Sequence, residues 1–313
     1  MAMFYRETSS RAVIENQHIV SPIATGVAPV LKPIDDIRAV VFDIYGTLVI
    51  SGTGDVGSVD TTNKSDAMRA ALLEEITDLE TRTAIENLRI EIDDLHAIIR
   101  DHQSRITDRH HQTNAKSANT EGSSFVKAEI DIVAVWRQWL AENRLGSVLD
   151  KPDLAVQLAA RYESLANPVC PMPHATNAID DLRDLGMVLG IVSNAQHFTL
   201  QIVQHLMGDD LDAIGFDPQL CIFSNRFACA KPDRRLFDQL ANGLEQRGIS
   251  PLQSLYVGND MLNDVWTAGQ VGMRTALFAA DTRSLRLRAN DERCRNLKPD
   301  LTLTCLSQLS RCI

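Results

Sequence analysis

The stretch Ile37-Arg38-Ala39-Val40-Val41-Phe42-Asp43-Ile44-Tyr45-Gly46-Thr47-Leu48 decides how this chain is read. Residues 37–42 form a short apolar run, the pattern of a strand buried on both faces of a parallel sheet. A carboxylate, Asp43, follows at once, Gly46 permits a tight turn, and Thr47 offers a hydroxyl donor. Similar runs recur at 187–192, 219–223, 254–257 and 274–278, and a short edge strand is expected at 301–303. Helical patterns separate them. Ala178, Leu182 and Leu185 share a face that Gly186 ends, and Leu236, Leu240 and Leu244 repeat at four-residue spacing. Strands alternating with helices give an α/β fold, a doubly wound, Rossmann-like parallel sheet.

Between about residues 60 and 165 the alternation stops. Leu72, Ile76 and Leu79 make one helical stripe and Leu88, Ile92, Leu95 and Ile99 another. A polar loop is expected at 111–124, then helices over 129–142, carrying Trp136 and Trp139, and over 153–165, with Asp153 as N-cap. The chain therefore divides into an N-terminal arm (1–36) broken by Pro22, Pro29 and Pro33, a sheet domain (37–52 and 168–313), and an all-helical insertion (53–167). The arm is either disordered or laid along the core.

Four separated elements carry chemistry, three of them directly after expected strands, where the ligand crevice of an open α/β sheet lies. Asp43, just past a buried strand, can attack an electrophile and form a covalent ester or acyl phosphate, or simply act as an N-cap before the Gly46 turn. Ser193 and Asn194 can bind an anionic oxygen, although on their own helix capping is the better explanation. Lys231, before Pro232, can neutralise the nucleophile and a transferring anion; a solvated lysine ahead of a helix is the commoner use of that pair. In Gly258-Asn259-Asp260-Met261-Leu262-Asn263-Asp264, two acids four apart can hold a hard cation, or simply cap a helix.

Taken together, Asp43 with Thr47, then Ser193, Lys231, and Asp260 with Asp264, resemble the four motifs of the haloacid dehalogenase (HAD) superfamily over about 43–52 and 168–280. The helical insertion falls where that superfamily carries a mobile cap, which closes over the substrate and excludes water. The resemblance implies that Asp43 is the nucleophile. Asp43, the backbone carbonyl of Tyr45 and Asp260 would bind Mg²⁺, and Asp264 would hold a metal-bound water or orient Lys231. Ser193 and Lys231 would clamp the transferring group, helped by Asn194. Tyr45 departs from the pattern of the superfamily's phosphatases, which place a second Asp there as general acid and base. A phenol with a reference pKa of about 10 is a weak base. Tyrosine there resembles the 2-haloacid dehalogenases, whose halide needs no proton to leave. Those enzymes use no metal, usually replace the first acid of the fourth motif, and hold the substrate carboxylate with an arginine from the early cap, for which Arg69 and Arg82 are candidates. Retention of both Asp260 and Asp264 favours a Mg²⁺-dependent phosphatase of a small phosphorylated metabolite. The alternatives are a 2-haloacid dehalogenase-like hydrolase and a catalytically weakened ligand-binding protein of the same fold.

The formal charge of −10 over 313 residues argues against nucleic acid as a partner and leaves a small-molecule substrate, a phosphate ester by the resemblance. No run has the length of a membrane span, and residues 1–20 lack a basic start followed by an apolar block. Six cysteines without a CxxC pair read as free thiols in a reducing cytoplasm. The long insertion helices offer a surface for a homodimer. His96, His102, His110 and His111 read as solvated, Trp136 and Trp139 as core of the insertion, and Arg283, Arg286 and Arg288 as solvated surface. His174, near the return to the sheet domain, could face the site.

Overall fold

The computed structural model describes residues 20–52, 61–116, 127–145, 151 and 153–313. Among the described residues there are ten strands: β1 (Ala39–Phe42), β2 (Val49–Ser51), β3 (Lys127–Ala128), β4 (Val169–Pro171), β5 (Val188–Ser193), β6 (Phe216–Phe223), β7 (Cys229–Ala230), β8 (Ser254–Gly258), β9 (Arg274–Phe278) and β10 (Leu301–Leu303). The helices are α1 (Thr61–Glu75), α2 (Leu79–Asn87), α3 (Ile92–Lys116), α4 (Ile132–Glu142), α5 (Leu154–Ala166), α6 (Ala175–Asp184), α7 (Thr199–Met207), α8 (Leu211–Ile214), α9 (Arg235–Glu245) and α10 (Thr267–Gln270). Two compact units result. One holds the described residues of 61–116, 130–145 and 151–168; the other holds 20–52, 127–129 and 169–313.

The second unit is built on a six-stranded, all-parallel sheet in the order β10-β9-β8-β1-β5-β6. Strand alternation explains why both its faces are covered. Val40 and Phe42 join Leu189, Ile191, Leu255 and Val257 against Ala178, Ile179 and Leu182 of α6. Ala39 and Val41, pointing the other way, join Tyr256 and Leu220 against Leu236, Phe237, Leu240 and Leu244 of α9. Within this sheet the chain runs from β1 to β5 and β6 on one side, then crosses back to β8, β9 and β10 on the other, so the strand order reverses at β1. The carboxyl ends of β1, β5 and β8 thus border the switch-point crevice.

Residues 20–36 lie along this unit rather than apart from it. Val30 bridges Thr302 antiparallel, Ile34 N donates to Cys312 O at 2.7 Å, and Thr25 Oγ1 donates to Ala279 O at 2.7 Å. The arm residues 1–19 lie outside the described residues. β2 and β4, which lead into and out of the insertion, pair antiparallel from Val49↔Pro171 to Ser51↔Val169. The insertion does not run unbroken from 53 to 167: β3 and Glu129 belong to the sheet unit, where Lys127 and Ala128 pair antiparallel with Ala230 and Cys229 of β7.

In the helical unit Trp136 and Trp139 are buried and meet edge-on at 6.1 Å, with Tyr162 against Trp136 at 5.7 Å. Several expectations from periodicity shift here. Leu79 is not on a stripe with Leu72 and Ile76: α1 ends at Glu75, Leu79 opens α2, and its side chain is 78% exposed. Leu88 caps α2 instead of joining Ile92 and Leu95, whose buried partner is Ile98 rather than Ile99. The polar segment expected as a loop from 111 is helical to Lys116, because hydrogen bonds along the chain do not require an apolar face; 117–124 lies outside the described residues. Asp153 stands before α5 but makes no capping bond, its backbone being already helical. In the sheet unit Leu185 is exposed at the end of α6, and α9 begins at Arg235, so Pro232 does not open it.

Candidate active site

Asp43 leaves the carboxyl end of β1 with its backbone N–H still on the sheet, donating to Val257 O at 2.9 Å. Ile44 O then accepts from the N–H groups of Thr47, Leu48 and Val49. This folds 44–48 into a tight turn, with Gly46 at φ 81°. A Cβ on Gly46 would lie 2.6 Å from Ser284 Cβ and 2.7 Å from Asn259 Nδ2, so that turn is packed as well as left-handed.

Lys231 is the cation of the site. Its Nζ donates to Asp43 Oδ1 at 2.8 Å and to Asp264 Oδ1 at 2.6 Å, with Tyr256 Oη at 3.2 Å and Val192 O at 3.3 Å. All three ionisable partners are buried, Lys231 2% and Asp264 1% exposed, Asp43 8%. Burial alone would strip the proton from Lys231; the carboxylates of Asp264 and Asp43 outweigh it and hold the lysine pKa above its ordinary value. Burial, together with Asp43 and Asp260, pushes the Asp264 carboxyl up to about 7 against the pull of Lys231. One partner thus leans towards the ion pair and the other against it. The two contacts of Lys231 with carboxylates keep the lysine charged. Burial and the same carboxylates keep the Tyr256 phenol neutral, well above its ordinary range. It donates to Val192 O at 2.7 Å.

Ser193 closes β5, and its Oγ donates to Asn194 O at 3.3 Å. Asn194 Oδ1 accepts from Lys231 N at 2.7 Å, which fixes the lysine backbone beside the β5 loop. Tyr45, half-buried, shares a hydrogen bond between its phenol and Thr199 Oγ1 at 3.2 Å. Thr47 Oγ1 donates to Asn259 Oδ1 at 3.3 Å, and Asn259 Nδ2 donates to Ser284 O at 2.6 Å. Asp260 has a different neighbour: the Arg288 guanidinium, with Nη2 on Oδ2 at 2.6 Å.

A family model of haloacid dehalogenase-like hydrolases matches residues 37–272. The chain belongs to that family. Among solved structures it resembles a 2-haloacid dehalogenase from Pseudomonas syringae pv. Tomato DC3000, at 19% identity over 88% of this chain and 97% of that one, with a TM-score of 0.55. It also resembles a HAD phosphatase from Thermococcus onnurineus, at 20% identity over 88% of this chain and 97% of that one, with a TM-score of 0.47. The likeness to the former is one of fold. Comparison with curated proteins gave no match.

For a haloacid dehalogenase-like hydrolase, the decisive question is whether the side chains fit the Mg²⁺ that the family's phosphatases commonly use. The carboxylate of Asp260 is filled: Oδ1 accepts from Leu262 N, Asn263 N and Arg288 Nε, and Oδ2 from Asn263 Nδ2 and Arg288 Nη2. A carboxylate has about four lone-pair sites, so these donors leave little for a cation. The side chain that meets the nucleophile turn is the amide of Asn259, and the Asp264 carboxylate accepts from Lys231 Nζ and Asp260 N. As arranged, the donors do not fit a hard dication, which wants several anionic oxygens converging on one point.

Sequence reasoning thus placed Asp43, Tyr45, Thr47, Ser193, Asn194, Lys231, Asp260 and Asp264 in one unit; of these, Lys231 bonds Asp43 and Asp264 through its side chain and Asn194 through its backbone, and Asp260 N donates to Asp264 Oδ2 at 2.9 Å. It missed Asn259, Tyr256 and Thr199, and it took Arg288 for surface. A tyrosine inside a buried strand, as at 256, was the one visible signal, since a buried phenol needs a partner. Arg283 is likewise paired, its fork on the buried Asp281. Arg69 donates to Ile85 O and Leu88 O, and Arg82 to Leu73 O and Ile76 O, so both are engaged with helix-end carbonyls. His96 lies 3.8 Å from Asp93, His102 bonds Gln138, and His174 is exposed before α6; the side chains of His110 and His111 lie outside the described residues. Among the described residues no three His, Cys, Asp or Glu side chains group as metal ligands, and no helix is long and apolar enough to cross a membrane.

Proposed function

We propose that this hydrolase displaces a leaving group from carbon, in the manner of a hydrolytic dehalogenase, and does so without a divalent cation. The observation that carries this reading is the pair of positions around the nucleophile. Tyr45, tied to Thr199, stands where a proton-donating carboxyl would serve a poor leaving group, and Lys231 is the cation in contact with Asp43. Asp43 attacks the substrate carbon, an ester bond forms, and the leaving group departs as an anion with the bonding pair, needing no proton. Water then adds to the Asp43 carbonyl carbon. Lys231 stabilises the oxyanion, and Asp264, with a carboxyl poised near neutrality, is the base that takes the proton. Collapse expels the alkoxide, which takes the proton back from Asp264 and leaves as the alcohol, and the Asp43 carboxyl loses its remaining proton to solvent to restore the carboxylate. This reading is preferred to the Mg²⁺-dependent phosphatase of a small metabolite that the sequence led us to expect, because Asp260 is engaged by Arg288.

The test is a single turnover with 2-bromopropionate in ¹⁸O-water, with EDTA present. Halide release with one label entering Asp43, abolished in Asp43→Asn, supports the reading. Phosphate release from an aryl phosphate that requires both Mg²⁺ and Asp43, without halide release, sinks it.

A further inference from the structure

Asp260 is 5% exposed, and a buried carboxylate needs a compensating cation. Arg288 supplies one as a fork: Nε lies 3.1 Å from Oδ1 and 3.2 Å from Oδ2, and Nη2 lies 2.6 Å from Oδ2. The segment that delivers it is fastened to the same loop. Asn259 Nδ2 donates to Ser284 O at 2.6 Å, Arg286 N to Asn259 O at 3.0 Å, and Met261 N to Arg286 O at 2.9 Å. Arg288 itself sits at φ 51°, a conformation that a side-chain-bearing residue keeps only where its surroundings over-determine it. Three backbone or amide bonds thus fasten the segment to the residues on either side of Asp260, and a left-handed residue delivers the two-pronged ion pair to its carboxylate.

We propose that Arg288 is a built-in cation that occupies Asp260 and so excludes a divalent metal from it. Arg288 acts as a positioning residue. It neutralises the carboxylate, lets Asp260 accept from Leu262 and Asn263 at the start of the following helical turn, and leaves Asn259 to face the nucleophile turn. A guanidinium is always charged and cannot be chelated away, so the loop keeps its shape whatever the metal content of the solution. This role of Arg288 rests on the metal-free reading proposed above and is independent of the leaving group.

The experiment is a titration of the full chain with Mn²⁺ alone, following free Mn²⁺ by electron paramagnetic resonance. In the wild type no saturable one-equivalent site is expected up to about millimolar metal, the weak end of protein sites for hard cations. Arg288→Gln is expected to acquire one, weakened at least tenfold when Asp260→Asn is added. If the Gln variant does not fold, Arg288→Met, which keeps the aliphatic stem, replaces it. A wild-type site that Asp260→Asn removes overturns the proposal, and so does the failure of a folded Arg288 variant to gain one. Because binding is read and not turnover, a failure here is separable from a failure of the halide-release assay.

Discussion

Lys231 answers to two buried carboxylates, so its removal strands both. Lys231→Met is expected to cost about 3–5 kcal/mol in denaturant unfolding at neutral pH, the usual consequence of breaking a buried pair on one side. A loss under 1 kcal/mol would mean that Asp43 and Asp264 do not share the buried charge described. Asp264 sets the pH response. Its carboxyl is raised in the fold to about 7, so the base is protonated below that value and ionised above it. Hydrolysis of the ester intermediate is expected to rise with pH through about 7, not through the ordinary carboxylate range near 4, and Asp264→Asn should erase that limb in single-turnover kinetics. Tyr45→Phe is expected to leave halide release within a few-fold of wild type; a loss of two orders of magnitude would assign the phenol a proton-transfer role. These residues were legible because strand ends converge in any doubly wound sheet, so order along the chain sufficed for Asp43, Lys231 and Asp264. The assignment of Asp260 over Asn259 was not. Neighbouring residues in a turn point in different directions, and no periodicity tells which one faces the nucleophile.

The turn at 44–48 and the segment at 281–288 form one packed object at the level of elements. Gly46 combines a left-handed backbone with no room for a Cβ, its nearest neighbours being Ser284 and Asn259. Gly46→Ala is expected to cost about 3 kcal/mol by chemical denaturation, from strain and overpacking together. A cost below 1 kcal/mol would show that Ser284 yields freely. The central strands were readable as elements because continuous apolar runs leave few alternatives. The helical insertion was readable only as helical. Its stripes crossed helix boundaries that fall at 75–79 and 87–92, where Leu79 and Leu88 look apolar enough to continue a face but lie at ends. β3 escaped notice altogether: two residues long, it exists because it pairs with β7, not because of its own pattern.

Across the whole molecule, two units with separate cores make one cooperative transition an unsafe expectation. Trp136 and Trp139 report on the helical unit and Trp266 on the sheet unit. In Trp266→Phe, fluorescence should therefore follow the helical unit alone, and its denaturation curve should not superimpose on one read by far-ultraviolet circular dichroism. Superposition would mean that the two units melt together. The cysteines complete this pair of reporters. All six thiols lie in the sheet unit, five of them buried and Cys305 half-buried. Burial pushes Cys221 up to about 12 and Cys229, in the strand that leads to Lys231, up to about 11, far from the thiolate form that reacts. A maleimide at neutral pH should therefore label Cys305 first and the rest only as the sheet opens, which gives the chain an internal clock for the lifetime of its catalytic half.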